Sequence, residues 1–72
     1  MSRKRYEVLA KTAHGLKFED YNILDNARED FAYITRKAET PGSKLPTVEA
    51  WLIDRQPPAD AMTDTLDYWL KQ

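Results

Sequence analysis

The stretch KTAHGLKF, residues 11–18, holds the chain's single histidine, His14, next to Gly15, one of its two glycines. An imidazole titrates near neutral pH, so His14 is the first residue to consider for proton transfer or nucleophile activation. Nucleophilic catalysis needs a hydroxyl or thiol within hydrogen-bond reach of the base and a third group to orient that base. Thr12 lies close to His14 only because it flanks a turn, and there is no cysteine. His14 therefore reads as an exposed turn residue. The neighbouring carboxylates Glu19 and Asp20 need a pocket that perturbs their pKa before they can act as acid and base, and a chain of 72 residues has little volume to build one.

Metal and nucleotide chemistry are excluded by residue type and spacing. Zinc takes four Cys or His ligands, or three with an open position, and one histidine cannot supply them. The acidic run EDYNILDNARED resembles a calcium loop, but Leu24 and Asp25 stand where a ligand and the obligatory glycine belong. Gly15 and Gly42 lie in no phosphate-cradling pattern. The expectation is a protein with no catalytic residue, no cofactor and no metal.

Two charged surfaces remain. Asp60, Asp64 and Asp67, at i, i+4 and i+7, would form one acidic row on a C-terminal helix. Such a row repels itself slightly, and it imitates the sign and spacing of phosphates along a nucleic-acid strand, so it suits a basic groove on a partner. The other surface is basic: Arg3, Lys4 and Arg5 on an arm, with Lys11 and Lys17 beside the turn, could hold nucleic acid directly with help from Tyr21 and Trp51. Residues 1–17 carry a net charge of +4 and the remainder −5, within a chain total of −1. A nucleic-acid binder is normally basic, whereas the sequence pI is about 5.7.

The elements that must position these groups follow from periodicity. RYEVLAKTAHGLKFEDY reads as a hairpin. A three-residue loop, Ala13-His14-Gly15, pairs Thr12 with Leu16, Ala10 with Phe18 and Val8 with Asp20, and gathers Tyr6, Val8, Ala10, Leu16 and Phe18 on one face. Glu7, Leu9, Lys11, Lys17, Glu19 and Tyr21 take the other. LDNAREDFAYITRKAETPG places Ala27, Phe31, Ile34 and Ala38 on one helical stripe, with Asp25 or Asn26 as N-cap and Pro41-Gly42 as the stop. TVEAWLIDR alternates as a third strand. ADAMTDTLDYWLKQ places Ala59, Met62, Leu66 and Trp69 on the stripe of a terminal amphipathic helix.

The expected fold is thus α+β, one domain over 1–72 with a flexible arm at 1–4. Its order is β-β-α-β-α, with a three-stranded antiparallel sheet (2-1-3), one helix on a face and the C-terminal amphipathic helix. Leu9, Tyr21, Trp51 and Ile53 would cluster on the sheet's second face. Either the C-terminal helix covers that cluster with Met62, Leu66 and Trp69, or a partner does, anchored on Trp51 and Trp69. The longest apolar runs, AWLI and FAYI, are four residues, so neither a secretory signal nor a membrane span is expected. The lack of cysteine fits a reducing cytoplasm.

No family motif is present. By type, a small cysteine-free α+β domain with acidic and aromatic faces looks like the inhibitors that phages and mobile elements encode, anti-CRISPR proteins among them. That likeness implies a non-enzymatic module that occludes another protein, one with a basic nucleic-acid-handling groove. The expected contact residues are Asp60, Asp64, Asp67, Trp51, Tyr68 and Trp69. A homodimer, and direct nucleic-acid binding as an accessory protein, stay open as alternatives.

Overall fold

A computed structural model describes residues 4–40, 42 and 47–71. Strands β1 (Tyr6–Thr12) and β2 (Gly15–Tyr21) form a hairpin, followed by helix α1 (Leu24–Glu39), β3 (Thr47–Asp54) and β4 (Thr65–Leu70). The four strands make one antiparallel sheet in the order β2-β1-β3-β4. This corrects the expected β-β-α-β-α order with three strands and two helices: among the described residues the domain is α+β with four strands and one helix. Arg3, like the rest of residues 1–3 of the expected arm, lies outside the described residues. The Lys4 carbonyl accepts a hydrogen bond from Arg55 Nη1 at 2.9 Å.

The C-terminal segment is a strand for two reasons that helical periodicity does not weigh. Thr63, Thr65, Tyr68 and Trp69 favour extended backbone, and Asp60, Asp64 and Asp67 would repel one another on a helix. The outer edge of β3 also carries backbone groups that need partners. A fourth strand supplies them: Asp54 N–H donates to the Asp64 carbonyl at 2.8 Å and Lys71 N–H to the Val48 carbonyl at 2.9 Å.

The hairpin register differs from expectation by one residue on β2. Thr12 pairs with Gly15, Ala10 with Lys17, Leu9 with Phe18 and Tyr6 with Tyr21 across a two-residue turn, Ala13-His14. Thr12 sets this turn, because its hydroxyl donates to the Gly15 carbonyl at 2.8 Å and accepts from the His14 N–H at 3.1 Å. Gly15 has φ +127°, which a side chain would oppose. A slip of one residue moves every side chain of a strand to the opposite face. Leu16 and Phe18 thereby leave the helix side, and Lys17, Glu19 and Tyr21 take their place.

The core lies between the sheet and α1. It consists of Val8, Ala27, Phe31, Ala50 and Leu52, flanked by Tyr6, Tyr21, Leu24, Ile34 and Trp69. Ala27 and Ala50 are fully buried, and their small side chains let the helix settle close to the strands. The helix begins at Ile23, whose side chain cannot cap, so the expected Asp25 or Asn26 cap is not formed; Asp25 instead lies in the first turn, where its charge suits the helix dipole. Beyond the core, Tyr21 Oη donates to Asp30 Oδ2 at 2.8 Å and ties β2 to the helix. Arg5 grips the buried Asp54 through Nε and Nη2 at 2.9 and 3.1 Å.

Candidate binding face

The sheet's other face has no cover among the described residues. The registers align Phe18, Leu9, Trp51 and Tyr68 in one row across all four strands. The row is apolar from edge to edge, and its outer members are open to solvent: Phe18 is 63% exposed and Tyr68 48%. Trp51 and Tyr68 pack at a tilt, with ring centroids 5.8 Å apart. The next row joins Leu16, Lys11, Glu49 and Leu70, which ends both edges in exposed leucines. An apolar patch that runs across a whole sheet of a small domain is uncommon on surfaces that meet only water.

Charged side chains border the stripe on both flanks. On one flank Arg55 Nη2 donates to Glu7 Oε1 at 2.6 Å. Arg55 Nη1 also lies 2.9 Å from Asp20 Oδ1, a charge contact without hydrogen-bond alignment. On the other flank Lys11 stands opposite Glu49, and Glu49 accepts the Tyr68 hydroxyl. That hydrogen bond and the nearby carboxylate raise the Tyr68 pKa and keep the phenol neutral. The face therefore presents hydrocarbon and aromatic surface, with the carboxylates of one flank held by Arg55.

The residues expected to meet a partner are separated by the fold. Trp51 and Tyr68 lie on the open face. Trp69 lies on the helix side, half-buried beside Ala50, where its Nε1 donates to Glu39 Oε1 at 2.5 Å. The acidic row does not form. Asp60 lies in the turn before β4, Asp64 at its entrance and Asp67 within it, all exposed. Asp67 Oδ1 accepts the N–H of Tyr68 at 2.8 Å. Of the second-face cluster, Leu9, Trp51 and Ile53 are in place and Tyr21 is on the helix side. Sequence reasoning missed Phe18, Leu16 and Leu70. The two-residue alternation of Leu66, Tyr68 and Leu70 was the available signal for the last of these.

On the helix side, a cleft of about 180 Å³ opens between β2 and α1, lined by Val8, Ala10, Lys17, Glu19, Asp30 and Ile34 among others. It is smaller than ordinary ligand pockets, which run from about 300 Å³ upward. His14 is exposed at the turn and is not among the residues that line this cleft. Among the described residues no cluster of three or more His, Cys, Asp or Glu could hold a metal ion, and no helix is long and apolar enough to cross a membrane. Comparison of the chain with protein-family models, curated proteins and solved structures finds no match.

Proposed function

We propose that this chain is a protein-binding module that acts without catalysis, by occluding an apolar surface of another protein with its open sheet face. The observation that carries this reading is the stripe Phe18–Leu9–Trp51–Tyr68, uncovered among the described residues and flanked on one side by Glu7 and Asp20 carboxylates already held by Arg55. Aromatic side chains on a rigid sheet make strong anchors, because they bury large areas at low cost in side-chain entropy. Asp60, Asp64 and Asp67 do not share a helix face, since their segment is β4 and the turn before it, and this reading does not rest on them.

Direct nucleic-acid binding is the weaker alternative. Stacking could use Trp51 and Tyr68, but Arg55 is already shared by the Glu7 and Asp20 carboxylates, which leaves that flank of the face without surplus positive charge to meet phosphates. Arg5, one of the cations expected on a free arm, is committed to Asp54.

The test is affinity capture from lysate of the source cell, with and without nuclease, comparing the unaltered chain with Trp51→Ser, Tyr68→Asp and Tyr33→Asp. Tyr33 is an exposed aromatic on α1 and serves as the control. A nuclease-resistant partner lost with the first two variants and retained with the third supports the proposal. Capture that disappears with nuclease favours the alternative, and retention by all three variants refutes the use of this face.

A further inference from the structure

The two edges of the sheet are not equivalent. On β4, the hydrogen bonds to β3 use Asp64 and Lys71 at the ends, so the alternating ladder leaves the backbone groups of Tyr68 facing outward at the strand's middle. The Asp67 carboxylate takes the Tyr68 N–H, and a bulge at Leu52/Ile53 bends the strand. These are devices that block edge-to-edge pairing. Strand β2 has neither. Its seven residues pair with β1 without irregularity, and it contains no proline.

The parity of its outward groups is fixed by the neighbouring ladder. Arg55 N–H donates to the Arg5 carbonyl, so odd-numbered residues of β1 bond to β3 and even-numbered ones to β2. Their partners on β2 are Gly15, Lys17, Glu19 and Tyr21. Leu16, Phe18 and Asp20 therefore turn their N–H and C=O groups toward the free edge.

We propose that β2 is a self-association edge, on which a second copy of this chain pairs antiparallel with its two-fold axis at Phe18. In that register Phe18 meets Phe18 of the second copy, and Lys17 meets Glu19 of the second copy twice. Leu16 stands opposite Asp20, whose charge is already held by Arg55. Opposite charges across a strand pair stabilise it and like charges destabilise it. Moving the axis by one residue either way, the smallest shift that keeps both helices on one side, sets Lys17 against Lys17 or Glu19 against Glu19. The sequence of alternating charge on β2 thus selects one register. The helices do not collide: α1 lies over β1 and β3, so at about 4.8 Å per strand the two axes stand about 19 Å apart, beyond the roughly 10 Å of packed helices. The pairing joins the two open faces into one surface with both Phe18 rings at its centre. It does not depend on any partner of that face.

The test measures mass by sedimentation equilibrium on the purified chain from ~10 µM to ~1 mM, the range in which a small edge interface of this kind dissociates. The expected result is a mass that rises with concentration from the 8.4 kDa of one chain toward twice that value. Lys17→Glu and Glu19→Lys should each weaken dimerisation by at least about tenfold, because each turns two attractive pairs into repulsive ones. An equimolar mixture of the two variants should form a heterodimer, and the double exchange K17E/E19K should dimerise like the unaltered chain. Recovery on mixing also shows that each variant is folded. A monomer throughout the range, a dimer indifferent to Lys17→Glu, or no recovery on mixing overturns the proposal. Trp51→Ser should leave the dimer intact, so failure here and failure of the proposed partner face are distinguishable.

Discussion

Trp51 and Tyr68 meet across β3 and β4 on the open side of the sheet, their ring planes inclined at 51°. The tyrosine shields one edge of a half-buried indole, so removing it should wet Trp51. With Trp69→Phe as background, Trp51 is the sole indole, and Tyr68→Ala should shift its emission to longer wavelength. Binding of a partner to the stripe should shift it to shorter wavelength. An emission maximum indifferent to Tyr68 would show that the two rings do not pack in solution.

The two faces of the sheet should respond differently to truncation. Leu52 is wholly buried under α1, and Leu52→Ala should cost about 2 to 5 kcal/mol of folding stability, through lost transfer energy and the cavity left behind. Phe18→Ala removes a larger side chain that is mostly in water and should cost no more than about 1 kcal/mol at concentrations where the chain is monomeric. Urea unfolding followed by circular dichroism compares them, and equal losses would place Phe18 in a covered core.

Acid should weaken the join between the start of β1 and the end of β3. The Arg5 guanidinium, by its hydrogen bonds, holds the Asp54 carboxyl below its ordinary pKa, and the Gln56 N–H adds to the effect. A depressed carboxyl contributes stability that is fully present above the unfolded value, about 3.9, and is lost as pH falls through the folded one. The unfolding midpoint should therefore drop below about pH 4 in the unaltered chain, and Asp54→Asn should flatten that part of the profile. An unchanged slope would assign acid sensitivity to other carboxylates.

Alkali acts on a different contact. Burial, and then the hydrogen bond to Asp30, push the Tyr21 pKa up to about 12. A raised value stabilises the fold fully below the unfolded tyrosine pKa, about 10, and that contribution fades as pH rises toward the folded one. Spectrophotometric titration should find the Tyr21 phenol ionising late, and Asp30→Asn should bring its ionisation earlier. A Tyr21 phenol that ionises near the unfolded value, about 10, would mean the bridge from β2 to α1 is not made.

The helix was legible in the sequence because Ala27, Phe31, Ile34 and Ala38 repeat at its own period and the chain there has one amphipathic solution. The open face was half legible: Leu9, Trp51 and Ile53 follow from strand alternation alone. Phe18 was not, because two hairpin registers differ by one residue and the choice rests on the Thr12 hydroxyl bonding to Gly15 and His14. His14 is thereby the second residue of a two-residue turn and has no part in the candidate face.

Taken alone, the sequence determined composition-level exclusions, the helix stripe and the alternation of β1 and β3, all of which depend on neighbours within a few positions. Tertiary structure decided the rest. ADAMTDTLDYWLKQ carries both helical and alternating patterns, and the unpaired edge of β3, dozens of bonds away for some of its groups, settles it as β4. That choice removes the helix expected to cover the second face, takes Asp60, Asp64 and Asp67 off a common helix face, and sends Tyr68 and Trp69 to opposite sides. The physical reason is that a sheet edge must satisfy its backbone hydrogen bonds with whatever chain can reach it, a demand no local window of sequence displays.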